Sequence, residues 1–478
     1  GVTSIGGSSF KNTAIVEIDM PNVTSIASSA FEGCTKLKNV KVKHAGATTI
    51  ASKAFYGSSI ENFNNDVKDE KIINLDGIKK IDVNAFAETT GIEKVIMPTW
   101  AYDGDSSANY VVPTTMLKNS SVVEVDMSGI RQLNLTKRSY SEIRNNKPGT
   151  PQTNIFEGCA NLEKVVLSDE ITSLPARMFL NSGIKYINLG KVKEIGESVF
   201  ENCENFVGSE TLNAPELDSL EVIGAYAFKN CVLLTGEAVL PVNLKTVGGF
   251  AFVGTKISSY KNTLGNTNFL VKDGILYSKD GTTIVSVAPE YEGTVTLGEG
   301  VKVGDYAFVG TSKLTFVFEE GLTEIGDYAF SGLTNLTEVT LPSTLTHIGA
   351  GAFMNTGITS IAFPDALTYL GDYAFMGTGI TEVTLPKNLE TFGSQVFANT
   401  GVTKITLPAK VTTLKASAFE GYTKLELLDL GSVKTLAAGV LGNAGSEIAE
   451  GKTFKVIIPE TVTTVPTKAF NNSFVTEL

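Results

Sequence analysis

The sequence is poor in the residues that usually carry chemistry. Its 478 residues hold two histidines, His44 and His347, four cysteines and one tryptophan, Trp100. The histidines lie far apart and neither sits in a motif, so a Ser-His-Asp or Cys-His nucleophile has no evident base. No C-x-x-C pair argues for zinc. There is no phosphate loop, dinucleotide fingerprint or H-E-x-x-H helix. The adjacent carboxylates Glu319 and Glu320 suit acid–base work on a sugar in principle, but the pattern supplies no facing partner. No enzyme, cofactor or metal site is expected. Long apolar runs are also missing, and without a stretch of about 18 residues nothing reads as inserted in a membrane. Positive charge is in deficit: 39 Lys and Arg against 51 Asp and Glu leave a net charge of −12. That balance disfavours nucleic acid and anionic lipid surfaces. What remains is a composition 42% hydrophobic, too apolar for wholesale disorder.

What the sequence does have is one phrase written many times. "YLGDYAFMGTGITEVTLP" (369–386) has a partial copy just upstream in "HIGAGAFMNTGITSIAFP". Anchored on the Phe of each A-F pair, about eighteen coils run from Phe10 to Phe470, with Leu117 and Leu441 in the anchor role. From Phe308 to Leu441 the steps are 22, 23, 22, 22, 22 and 22 residues. A fixed period of this size marks a solenoid, whose coils bury their apolar faces only by stacking. In "ITEVTLP", Ile380, Val383 and Leu385 point inward while Glu382 and Thr384 alternate outward, as a strand requires. Pro386 has no N–H and ends the ladder. Leu389 and Phe392 then turn inward, and Gly393 follows where the backbone needs room; Gly196, Gly224, Gly326, Gly349 and Gly371 hold the same place. Asp305, Asp327 and Asp372 precede the A-F knot and suit the cap of a single helical turn. Phe316 and Phe318, in a stretch one residue short, are both placed inward.

These residues resemble the BspA-like leucine-rich repeat family of bacterial surface proteins. The family pattern L-x-x-V-x-L-P-x-x-L-x-x-I-G-x-x-A-F-x-x-C is met nearly letter for letter by "LTEVTLPSTLTHIGAGAF" (336–353), and the likeness covers almost the whole chain. It implies an α/β solenoid: a right-handed, curved leucine-rich-repeat rod with a parallel β-sheet on one face and short helical turns. It also implies a secreted or cell-surface location and an adhesive role. Two departures stand out. The Asn ladder of other leucine-rich repeats is absent, so those buried backbone groups need other partners. The amino-terminal half is irregular, with steps of 31, 31 and 39 residues after Phe55.

The expected organisation is an irregular solenoid over 1–252, a β-insert over 253–300 and a regular solenoid over 301–478. The insert holds "ILYSKDGTTIV", two β-prone runs joined across Asp280 and Gly281, a hairpin signal. Such an insert either joins two solenoid segments or has a role of its own. A loop at 99–113 gathers Trp100, Tyr102 and Tyr110 beside Asp103 and Asp105. It either packs on its own coil or presents aromatics to a sugar or a protein. If a calcium site exists, it belongs at Asp103 and Asp105. The loop at 131–154 is locally basic, with Arg131, Lys137, Arg138, Arg144 and Lys147, and reads as solvated. Cys34, Cys159, Cys203 and Cys231 each lie three residues after an anchor, the small apolar slot, and read as buried thiols. Cys203 and Cys231 alone fall in successive coils, within possible reach of a disulfide. The chain starts and stops in mid-repeat and reads as a processed or trimmed piece.

The surface left for function is the outward strand face. It carries Glu338, Thr340, Glu382, Thr384, Lys404, Thr406 and Tyr186, with Trp100 and Tyr102 on the loop rim. Solenoids bind along such faces, although Thr, Glu and Lys equally suit any solvent-facing sheet. The expected function is non-enzymatic binding, by a monomer, of a protein or glycan on host or neighbouring cells. A spacer that presents another module and a carbohydrate-capture component are the alternatives.

Overall fold

The computed structural model describes residues 1–42, 48–65, 70–98, 112–130, 133, 154–207, 217–263 and 265–478. The chain forms two compact units. Unit 1 is Gly1–Ile257 with Asn262–Asn266, and unit 2 is Ser258–Lys261 with Thr267–Leu478. The fold is a parallel-strand solenoid of about 17 turns.

Each coil offers two strips of strand, where the sequence pattern suggested one. The first strip is the x-V-x-L run. In unit 1 it builds an eight-stranded parallel sheet from Glu17–Met20 through Lys94–Ile96, Glu124–Met127 and Lys164–Leu167 to Tyr186–Ile187. Val95, Val125 and Val165 face the core in register and are buried. The second strip is the two-residue x-I segment before the glycine. It makes the parallel sheet Ser173–Leu174, Glu194–Ile195, Val222–Ile223, Thr246–Val247 in unit 1. In unit 2 it runs from Lys302–Val303 through Glu324–Ile325, His347–Ile348 and Tyr369–Leu370 to Thr391–Phe392. An antiparallel meander heads that sheet: Phe269–Lys272 pairs with Ile275–Ser278, which pairs with Thr283–Ser286. Thr283–Ser286 then pairs in parallel with Lys302–Val303. At the meander's turn the Asp280 carboxylate accepts hydrogen bonds from Ser278 Oγ, Thr282 N and Thr282 Oγ1, which pull its pKa down to about 2.

The knot is not a helical turn. Among the described residues there is no α-helix. The residue two before the anchor and the residue two after it both take positive φ: Tyr328 at 54° and Gly332 at 78°, or Ser198 at 54° and Asn202 at 60°. Two left-handed residues around one Phe make a tight double turn that no helix accommodates. This explains why position +2 is Gly or Asn in most coils. At position −2 bulkier residues bear the strain and stack on their counterparts: Tyr306 on Tyr328 at 5.4 Å, Tyr226 on Phe250 at 4.9 Å. The aspartates expected as helix caps instead bridge coils. Asp305 accepts from Asp327 N, Asp327 from Ala350 N and Asp372 from Ser394 N, at 2.7–2.9 Å.

The anchors are the core. In unit 1, rings stack from Phe10 through Phe31 and Phe55 to Phe86 at 5.1–5.2 Å, and again from Phe156 to Phe252 at 5.3–5.7 Å. In unit 2, Phe308, Phe330, Phe353, Phe375 and Phe397 stack at 4.9–5.6 Å. Phe419 leaves the column and packs on Phe392 instead, where buried Tyr422 takes the +3 slot and its hydroxyl accepts from Phe397 N. Phe316 and Phe318 pack against this core, half-buried.

The absent Asn ladder is replaced at position +3. There Thr356 and Thr378 donate to the carbonyl of their own anchor at 2.8–2.9 Å. Where the slot holds cysteine, the thiol reaches back one coil: Cys203 to Phe179 O at 3.0 Å and Cys231 to Phe200 O at 3.1 Å. All four cysteines are buried and free, including Cys203 and Cys231. Burial pushes the Cys159 thiol up to about 11 and Cys203 up to about 12.

Candidate functional site

The first strip does not run unbroken through unit 2. Gly293–Leu297 pairs with Leu314–Phe318, and the next strand of that strip is Lys404–Thr406. Three coils lie between. Their Thr-rich runs at 337–341, 359–363 and 381–385 make no backbone hydrogen bond to any described residue. The coils still touch at the heads of the second and third runs, where Gly379 N donates to Ile358 O at 2.8 Å and Gly401 N to Ile380 O at 2.9 Å. Beyond that point the runs part. "ITEVTLP" is therefore unladdered, and Val383 and Leu385, expected in the core, are only half-buried.

The other strip stays closed here. A Cβ added at Gly371 would sit 2.4 Å from Ala350 N, and one at Gly393 would sit 2.5 Å from Asp372 N. Only glycine permits so close an approach, and these coils stay tight along x-I-G while they part along x-V-x-L. In the next two coils Lys415 and Ala437 stand where the glycines would be. There the second strip shrinks to the single bridge between Thr413 and Thr435. The first strip closes again, as Lys404–Thr406, Leu427–Asp429 and Lys455–Ile457. Lys415 instead ties the strip edge to Asp372 at 2.8 Å, and that carboxylate raises the pKa of the ammonium.

The opening leaves a groove of about 700 Å³ between 381–387 and 403–409. Glu382, Val383 and Thr384 form one wall; Lys404, Thr406 and Pro408 form the other. Four of the residues expected on a binding face thus meet at one place. Glu382 and Lys404 have no ion-pair partner among the described residues. On the closed sheet of unit 1 several outward charges pair with one another: Lys94 with Glu124 at 3.1 Å, Lys71 with Glu93 at 2.8 Å, Lys185 with Glu163 at 2.5 Å.

The other expected residues are dispersed. Glu338 and Thr340 are exposed on the first of the open runs. Tyr186 belongs to unit 1, on the last strand of its large sheet, 51% exposed. Trp100, Tyr102, Asp103 and Asp105 lie outside the described residues, as does the basic loop apart from Leu133 and Asn154. Sequence reasoning missed the half-open apolar floor of Val383 and Leu385. Its signal was the run of glycines ending at Gly393 and the change to Lys415.

Elsewhere the chemistry is structural. Glu320 accepts from Ser343 N at 2.9 Å and Ser343 Oγ at 2.8 Å, and these bonds lower its pKa. His347 stacks on Tyr369 at 4.1 Å. Among the described residues no cluster of His, Cys, Asp or Glu could hold a metal, and no helix is long and apolar enough to cross a membrane.

The profile of the BspA type leucine rich repeat region matches residues 3–108, 120–207, 206–268 and 301–426. No curated protein matches the chain. Among solved structures, the pneumococcal vaccine antigen PcpA is 17% identical, with 100% of this chain and 93% of that chain covered and a TM-score of 0.32. A leucine-rich repeat protein from Bacteroides ovatus is 18% identical over 96% of this chain and 88% of its own, with a TM-score of 0.34. A leucine rich cell surface protein from Faecalibacterium prausnitzii is 17% identical over 100% and 87%, with a TM-score of 0.27.

Proposed function

The chain belongs to the BspA-type leucine-rich repeat family, and from that premise we propose a non-enzymatic binding protein, secreted or held at the cell surface. It takes a macromolecule of a host or neighbouring cell on the strand face of unit 2. The observation that carries this reading is the groove between 381–387 and 403–409, where charges of opposite sign stand unpaired across half-open apolar side chains. Isolated exposed charges cost nothing to leave unpaired, but a cleft that also shows apolar surface gains from being filled.

A protein partner is favoured over a glycan. Sugar recognition needs aromatic ring faces turned to solvent. Here the rings of Tyr306 and Tyr328, Tyr226 and Phe250, and His347 and Tyr369 lie face to face, so the faces they share are closed to a sugar, and no aromatic ring among the described residues lines the groove.

The test is a screen of extracellular matrix proteins, bacterial surface proteins and a glycan array against the intact chain. Each ligand is then measured against the variant Glu382→Lys with Lys404→Glu, and against a control reversed at Glu17 and Asp19 on unit 1. At least tenfold loss for the groove variant alone supports the reading. A ligand indifferent to both variants, or no ligand at all, favours a spacer.

A further inference from the structure

We propose that the groove accepts an extended polypeptide segment of a partner protein as an added β-strand. The inference rests on the reading of this face as a binding surface and specifies what occupies it.

Lys404–Thr406 is an edge strand. Its one ladder partner is Leu427–Asp429. Consecutive residues of a parallel strand send their main-chain groups to alternate sides. Thr403 O accepts from Leu427 N, and Leu407 N donates to Asp429 O, so the odd-numbered residues serve that ladder. The N–H and C=O groups of Lys404 and Thr406 therefore aim the other way, into the groove, and have no partner among the described residues. The opposite wall, 381–385, has an unpaired main chain as well. Unpaired strand edges are templates for another strand, and strand addition draws its affinity from such groups.

The side chains narrow the chemistry. Val383 and Leu385 are half-buried and packed on the core, so they offer a floor for every second residue of the guest. Glu382 and Lys404 oppose each other in sign. They complement a guest carrying one basic and one acidic side chain on its other face. A sugar chain has no donor–acceptor repeat at strand spacing, which is why a peptide fits these walls better.

The experiment selects binders from a phage-displayed library of random linear heptapeptides against the intact chain. Enriched peptides are synthesised and titrated by calorimetry, unmodified and N-methylated at alternate residues. The methyl group removes a main-chain donor and keeps the side chain. Methylation in the parity that faces Lys404–Thr406 should weaken binding at least tenfold, and methylation in the other parity should weaken it only if the guest also pairs with 381–385. Thr406→Pro, which deletes a groove-facing N–H, should weaken it similarly, while Thr406→Ala should not. Should the proline variant misfold, methylation alone still decides. Undiminished binding of both methylated series overturns strand addition, as does a library yielding no peptide sensitive to Lys404→Glu. If an array glycan is lost on Lys404→Glu while no peptide is, strand addition falls and the groove reading stands. If neither ligand class depends on the groove, both fall.

Discussion

The eight-stranded sheet between residues 17 and 187 and the open coils between 336 and 385 are built from the same phrase. Both hold stacked anchor rings at about the same spacing, 5.2 Å between Phe31 and Phe55 and 5.1 Å between Phe353 and Phe375. They differ in whether the x-V-x-L runs pair. In the first coils of unit 1 the second strip reads Ile26-Ala27, Ile50-Ala51 and Ile81-Asp82, with glycine entering at Gly196, Gly224 and Gly248, and the x-V-x-L strands between 17 and 187 form one sheet. In unit 2, glycines at 326, 349, 371 and 393 bring the x-I-G edge to backbone contact, and three strands in a row lose their neighbours. The glycine edge alone does not open a coil, because Gly304 and Gly326 make the same close approach where Gly293–Leu297 and Leu314–Phe318 stay paired.

If the cores are equivalent, breaking either one should cost the same. Phe179→Ala in unit 1 and Phe375→Ala in unit 2 should each destabilise their unit by about 3–5 kcal/mol, read by urea unfolding with exchange-resolved detection. A clear inequality would mean that ring stacking is not the shared element.

The glycine edge is the next lever. Gly371→Ala places a methyl 2.4 Å from Ala350 N, and such overpacking costs about 1–3 kcal/mol. The reverse change, Lys415→Gly, removes only an exposed ion pair worth about 1 kcal/mol or less. It should lower amide protection in Lys404–Thr406. Unchanged protection would detach the glycine from the opening.

The units also differ in alkali. Unit 1 holds all four cysteines, whereas unit 2 uses Thr311, Thr356, Thr378 and Thr400 in that slot. Burial raises the thiol pKa of Cys159 to about 11, of Cys203 to about 12, and that of Cys231 as well. The folded state then keeps protons that the unfolded state loses. Stability is fully present below pH 9 and declines as pH rises through the folded values, by about 1 kcal/mol per thiol at pH 10. In unit 2 the buried hydroxyls are Tyr260, raised to about 12, and Tyr422, raised further. Its decline should begin about one pH unit higher. Coincident onsets in a pH series of thermal melts would contradict this.

The smallest effect is expected at the surface. Glu338→Lys and Glu382→Lys should shift stability by no more than about 0.5 kcal/mol, even though Glu382 governs the groove. A larger change would mean that these carboxylates hold structure.

Much of this was legible beforehand. The period, the anchor column and the close approach at Gly371 and Gly393 follow from spacing and residue type. The knot misled, because an Asp before "YAF" looks like a helix cap, and the pair of positive-φ turns is betrayed only by Gly or Asn at position +2. The open cleft was harder. "ITEVTLP" has strand composition whether or not a neighbour pairs with it, since β-propensity reflects context more than backbone preference. Gathering Glu382, Thr384, Lys404 and Thr406 was possible from the outward alternation; knowing that they line a groove was not.

The most direct measurement is residue-resolved amide hydrogen exchange on the intact chain, comparing 337–341, 359–363 and 381–385 with Lys94–Ile96, Glu124–Met127 and Lys164–Leu167. The open runs have no main-chain partners among the described residues and should exchange at nearly unprotected rates, while the sheet exchanges only by larger opening. Equal protection in the two sets would contradict the account, because it would mean that the coils of unit 2 are closed and hold no cleft.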